Sequence, residues 1–401
     1  MPDGFDLVLK NGTVIDPAQG IHQKMDVALK HGKIAAIKDC IIHKAARVIE
    51  VSGKLVVPGL IDLHTHVYWG GTSLGIQPEK IFTRSGVTTW VDAGSSGAGN
   101  FIGFREYVIK TSRVRILPFL NIGFAGIFGY IPKGPGDSQA QWVGDLCDPK
   151  LAHIREAVRV ALAYEDDIVG VKIRSGVNGS CDFPGLEPVL IARKAAEKIG
   201  KPLMVHIGTP PPTARELLPV LRAGDILTHA FRGEPNSLLN VDGNLLPELS
   251  EARHRGVILD LGHGAGSFSF ETARKMLDQG IEPDVISSDL HAASIDGPAF
   301  DLPTTMSKML NMGMTIEAVI KAVTFNPAKA IGYEKELGNL KVGTEGDITI
   351  LDIEQGAFAF QDCFNDELIG DRRLIPAFTI MGGKPIEDSE RFHKSLSGDY
   401  L

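Results

Sequence analysis

The chain has 401 residues, 43% hydrophobic and 22% charged, with a formal net charge of -8. That length supports one large domain plus a smaller one, and the composition is that of an ordinary soluble globular protein with a substantial core. Acidic and basic residues are interspersed, which argues against a nucleic-acid or anionic-membrane surface, and no stretch approaches the roughly 18–20 uninterrupted apolar residues of a membrane span. The start, Met1-Pro2-Asp3-Gly4-Phe5-Asp6, has neither the basic nor the apolar region of a signal peptide, so a cytoplasmic location is expected. The cysteines Cys40, Cys147, Cys181 and Cys363 contain no C-x-x-C pair and read as free thiols in a reducing compartment.

Residues 1–57 read as short alternating strands. Residues 5–10, the turn pair Asn11-Gly12 and residues 13–16 predict a β-hairpin. Residues 26–29 and 33–37 repeat the style around His31-Gly32, and residues 346–352 and 377–381 look the same at the other end. Residues 1–57 plus 338–401 are therefore expected to form one small β-sandwich domain built from both termini.

Across residues 58–337 the pattern changes to strand then helix, repeated. Candidate strands cover residues 60–64, 87–91, 115–120, 168–173, 202–206, 226–229, 257–261 and 285–288. Candidate helices fill the gaps, among them residues 149–164, 187–199, 214–222, 270–279 and 316–324. Eight such units predict an α/β fold, a (β/α)8 TIM-like barrel. A doubly wound sheet would bring a Gly-rich phosphate turn after its first strand, and here His64-Thr65-His66 takes that place.

Polar residues close one apolar strand after another. Residues two apart on a strand point to the same side, so His64 and His66 are able to share one cation. Lys172 ends 168–171, His206 ends 202–205, His229 ends 225–228, and Asp289 follows 285–288. Strand C-terminal ends meet at one mouth of such a barrel, where function sits. Singly, each residue has an ordinary explanation: a core histidine, a helix N-cap aspartate, a lysine in a buried ion pair. Jointly they point to metal, because buried charges without partners cost several kcal/mol each.

With these residues in view, the chain resembles the amidohydrolase superfamily of metal-dependent hydrolases. The resemblance runs through residues 7–16, the segment Val57-Pro58-Gly59-Leu60-Ile61-Asp62-Leu63-His64-Thr65-His66, residues 85–89, Thr324-Phe325-Asn326-Pro327-Ala328-Lys329 and residues 338–347. Within the superfamily the chain is most similar to the dihydroorotase-like deacetylases and aminoacylases. The resemblance implies two divalent cations, zinc by expectation. His64, His66 and Asp289 would hold the more buried ion and His206 and His229 the more exposed one. Lys172 would bridge them as N6-carboxylysine, a carbamate formed with CO2. It further implies a bridging hydroxide as nucleophile, with Asp289 as general base and then acid. A homo-oligomer is expected, since barrels of this family associate.

The expected substrate is a small molecule, an amide or ester of a small carboxylic acid losing an acyl group, by expectation acetyl. Arg174, two residues past Lys172, is a candidate clamp for a substrate carboxylate. Tyr68, beside Trp69, and His263 are further candidates for substrate contact, whereas His291 reads as a supporting or solvent-facing residue. Two other readings stand beside this one: a cyclic-amide hydrolase of dihydroorotase or hydantoinase type, and a metal-free scaffold, which every filled ligand position opposes.

Overall fold

A computed structural model of the protein describes residues 4–127, 145–181, 183 and 185–386. Strands β1 (Phe5–Asp16), β2 (Ile21–Lys30), β3 (Lys33–Lys38), β4 (Ala45–Glu50) and β5 (Leu55–Pro58) come from the N-terminal part. Strands β6 (Leu60–Thr65), β7 (Val87–Gly97), β8 (Arg115–Asn121), β9 (Gly170–Arg174), β10 (Leu203–His206), β11 (Ile226–Thr228) and β12 (Ile258–Asp260) follow, with helices between them. The last strands are β13 (Ile348–Gln361), β14 (Glu367–Met381) and β15 (Lys384–Pro385).

The terminal strands form one eight-stranded sheet in the order β15-β14-β13-β5-β1-β2-β3, with β4 also on β1. Its first element corrects the hairpin expected at Asn11-Gly12. Residues 5–16 are a single strand paired with β2, and the Asn-Gly pair makes an irregularity between Leu9 and Gly12. Asn11 takes a left-handed φ of 63°, and its N–H donates to the Asp26 carboxylate at 2.9 Å. Gly12 has no room for a side chain, since a Cβ there would lie 2.5 Å from Val56 Cγ2. An Asn-Gly pair suits a bulge as well as a turn, and only the Asp26 partner decides between them.

The second sheet has seven strands in the order β12-β11-β10-β9-β8-β7-β6, all pairs parallel. The fold is thus mixed α/β with a curled parallel sheet. Residues 285–288, expected as an eighth strand, form no regular strand. Val285 makes an isolated parallel bridge to Asp260 and Leu290 one to Thr65, so this segment touches both edges of the sheet. Its ladder is interrupted because Asp62 accepts from the Ser288 N–H at 3.0 Å and from the Ser288 hydroxyl.

Helices cover one side. Glu187–Ile199 ends at Gly200 in the left-handed conformation, as a C-terminal glycine cap should. The expected helix 149–164 is broken into a 3-10 turn, Pro149–Leu151, and the helix Ile154–Ala163, where the His153 side chain caps Glu156 N–H. Inside the curl, Ile61, Leu63, Val91, Leu117, Phe119, Met204 and Ile226 pack with Ala328, Ile331 and Leu337. Met204 lies two residues before His206 and Ile226 two before Thr228. The period of two therefore stacks polar residues directly above this apolar layer.

The free-thiol expectation is also corrected. Cys147 and Cys181 are joined as a disulfide with Cα atoms 4.8 Å apart, while Cys40 and Cys363 are free. The Asp145 and Leu146 N–H groups both donate to Gly179 O at 3.0 Å, a long-range contact that no cysteine spacing announces. Among the described residues no helix is long and apolar enough to cross a membrane.

Candidate metal centre

The strand ends deliver the polar residues to one place. His64 and His66 lie at the end of β6, and Asp289 follows the segment that bridges β12 and β6. His64 Nε2 and His66 Nε2 lie 3.2 and 3.3 Å from Asp289 Oδ1. The ligand atoms of these three buried residues are all within 4.8 Å of one another. His206 Nδ1 and His229 Nε2 converge to 2.8 Å beside them. Lys172, wholly buried, places Nζ 3.4 Å from His64 Nε2 and 3.3 Å from Met204 Sδ. All six residues line one cavity. His229 and Asp289 hold left-handed φ values of 69° and 45°, a conformation costing a non-glycine residue roughly 1 kcal/mol or more.

Hydrogen bonds on the far side of the rings set their tautomers. Thr228 Oγ1 donates to Asp260 Oδ2 at 2.6 Å, so its oxygen accepts the Nδ1 proton of His64 at 2.7 Å. His229 Nδ1 donates to Gly262 O at 2.7 Å, and His66 Nδ1 meets Ser95 Oγ at 2.9 Å. For His64 and His229 this leaves Nε2 as a bare lone pair turned into the cavity. Asp289 Oδ1 is buried and accepts no hydrogen bond. Imidazole lone pairs beside a carboxylate oxygen that accepts no hydrogen bond suit a cation, and this nitrogen and oxygen donor set fits a divalent metal.

Charge follows burial. Desolvation drives His66 and His229 down to about 3, and His64 and His206 well below the usual imidazole range, so all four rings are neutral. Burial likewise lowers the Lys172 amine to about 7, against the pull of Asp289 and Asp260. Asp260 itself is raised by desolvation to about 6.

The cavity has a volume of about 160 Å³. Besides the six residues it is lined by Arg174, Arg232, His291, Leu74 and the small residues Gly208, Thr209, Ala265, Gly266 and Ser267. Arg174 pairs with the buried Asp145 at 3.2 Å and still reaches the cavity. Tyr68 and His263 are not brought to it. Tyr68 stacks on Phe104 at 4.5 Å, and His263 is fully buried, its Nε2 accepting from Lys308 Nζ at 2.7 Å.

Arg232 is a cavity residue that the sequence pattern did not single out, and His291, read there as a supporting or solvent-facing residue, also lines the cavity. Arg232 Nη1 donates to Ile207 O at 2.5 Å, but its buried Nε has no partner, and no carboxylate pairs with it among the described residues. Its position three residues past His229, at a strand end, was the one available signal.

Known proteins resemble this chain in sequence and in fold. Residues 266–386 match the amidohydrolase family. A deacetylase of Brucella anthropi is 38% identical over 364 residues, covering 90% of this chain and 87% of the relative. A crystal structure of an adenine deaminase superposes with a TM-score of 0.87 at 29% identity, covering 96% of this chain and 100% of that one. A crystal structure of a dihydroorotase gives 0.82 at 34% identity, covering 95% and 97%.

Proposed function

The chain belongs to the amidohydrolase family, and from that premise we propose that it is a deacetylase acting at a pair of zinc ions on acetylated small carboxylic acids. The observation that supports it most is the meeting of three buried ligand atoms, from His64, His66 and Asp289, beside the converging His206 and His229 nitrogens. On this reading residues 58–337 form a closed (β/α)8 barrel, residues 1–57 with 338–401 a β-sandwich domain, and the protein acts in the cytoplasm.

His64, His66 and Asp289 would hold one ion, and His206 and His229 the other, with Lys172 shared between them. Bound divalent ions supply Lewis acidity, acidifying water and polarising the acyl carbonyl. The Lys172 amine, lowered by burial to about 7, is neutral often enough to attack CO2. A nitrogen–carbon bond forms, a proton leaves, and the product is an anionic oxygen ligand. Asp289 accepts a proton from the attacking water and passes it to the leaving nitrogen or oxygen. Arg174 and Arg232 supply the cationic wall for the substrate carboxylate. The partnerless buried guanidinium nitrogen of Arg232 gains the acceptor it lacks when that anion binds. A cavity of about 160 Å³ suits a compact substrate.

The Thr228 hydroxyl, between His64 and Asp260, orients a ligand without touching the ion. Thr228→Val should weaken zinc binding or activity by roughly 10–100-fold. Zinc competition titration reads this directly, and an unchanged affinity would remove the role.

A panel of N-acetyl amino acids and O-acetyl hydroxy acids, run beside dihydroorotate and hydantoins on zinc-reconstituted enzyme, tests the function. The acetylated acids should exceed the cyclic amides in kcat/KM by roughly a hundredfold. The dihydroorotase likeness supports the cyclic-amide reading, and the reverse ranking would establish it instead.

A further inference from the structure

His291 stands two residues past Asp289, and both of its ring nitrogens are defined by their surroundings. The Ala293 N–H donates to His291 Nδ1 at 3.1 Å, so that nitrogen carries a lone pair and the ring proton sits on Nε2. The residue is clamped from its backbone as well. Its N–H donates to Ser294 Oγ at 3.0 Å, and its carbonyl accepts from Ser294 and Ile295. The Nε2–H is left without a hydrogen-bond acceptor among the described residues. Asp289 Oδ2, at 4.0 Å, is its nearest carboxylate oxygen and too far for a hydrogen bond. His291 lines the cavity.

The two oxygens of Asp289 face different neighbours. Oδ1 meets His64 and His66, whereas Oδ2 lies 3.9 Å from His229 Nε2 and 4.0 Å from His291 Nε2. Gly264 leaves Oδ2 its space, since a Cβ there would come within 2.5 Å of it. A proton handed to a leaving atom from Oδ2 is therefore delivered within reach of the His291 N–H. We propose that His291 is a further catalytic residue, donating a hydrogen bond from Nε2 to the heteroatom that leaves the acyl carbon. The proposal rests on the deacetylase reading. When the bond from acyl carbon to leaving atom breaks, its electron pair passes to that atom, which takes the proton held by Asp289. His291 keeps its own proton throughout and stabilises the charge that develops before the transfer.

Leaving-group dependence tests this. His291→Phe keeps an aromatic ring and removes the donor, and His291→Gln keeps a donor. Against acetate esters of alkyl hydroxy acids, His291→Phe should lose roughly a hundredfold in kcat/KM. Against an activated aryl acetate, whose leaving group needs little help, the loss should be threefold or less, on the order of a weak hydrogen bond. His291→Gln should recover part of the difference, with metal content unchanged in both variants. A uniform loss across the series, or none, overturns the proposal. Nitrogen-15 NMR of imidazole-labelled protein supplies a readout independent of substrate. A proton found on Nδ1 overturns the donor role whatever the substrate is, whereas failure of every acetyl compound with the unaltered enzyme overturns the deacetylase reading alone.

Discussion

Asp289→Asn should leave most of the bound metal in place while lowering kcat by roughly 10³-fold or more, the scale of a lost general base and acid. Asparagine has nearly the same shape as aspartate. Its carbonyl oxygen is able to stand where Oδ1 faces His64 and His66 at 3.2 and 3.3 Å. What it lacks is the capacity to accept a proton from water and return it to the leaving atom. KM should change little, because Arg174 and Arg232, which line the cavity, are untouched. Single-turnover kinetics with metal analysis of the same sample checks both halves. Turnover within tenfold of the unaltered enzyme would remove Asp289 from proton transfer.

Lys172→Met should be as damaging by a different route. Methionine fills a comparable volume, so the buried position between His64 and Met204 stays packed. The variant cannot form a carbamate, and its metal content should fall from about two ions per chain toward one, with activity down by roughly 10³-fold or more. In the unaltered enzyme, stripped protein reconstituted with zinc should regain activity faster with bicarbonate present than in CO2-free buffer. Full metal content and activity in Lys172→Met would make the lysine a space-filling residue. Bicarbonate independence would argue against the carbamate alone.

The ligand candidates were legible because each breaks a local rule. A histidine, lysine or aspartate closing an apolar strand is costly unless something compensates it, and six such breaks at corresponding strand ends are easy to see in a linear chain. The residues that support them were not legible. Thr228, Ser95 and Asp260 are unremarkable polar residues whose meaning comes from the ring each one orients. His291 and Arg232 likewise depend on which cavity their side chains enter. His263 resembled a site residue by position, yet Lys308, on the helix Leu302–Asn311, holds its ring away from the cavity.

Periodicity and strand-end polarity, both properties of neighbouring residues, were enough to read alternating strands and helices and a shared mouth for the polar residues. Whether Asn11-Gly12 turns or bulges, whether Cys147 meets Cys181, how residues 285–290 bridge the two edges of the sheet, and which nitrogen of His64 and of His229 bears the proton were decided by the tertiary structure. Those outcomes depend on hydrogen bonds and contacts between segments far apart in the chain, and no local propensity encodes which partner arrives.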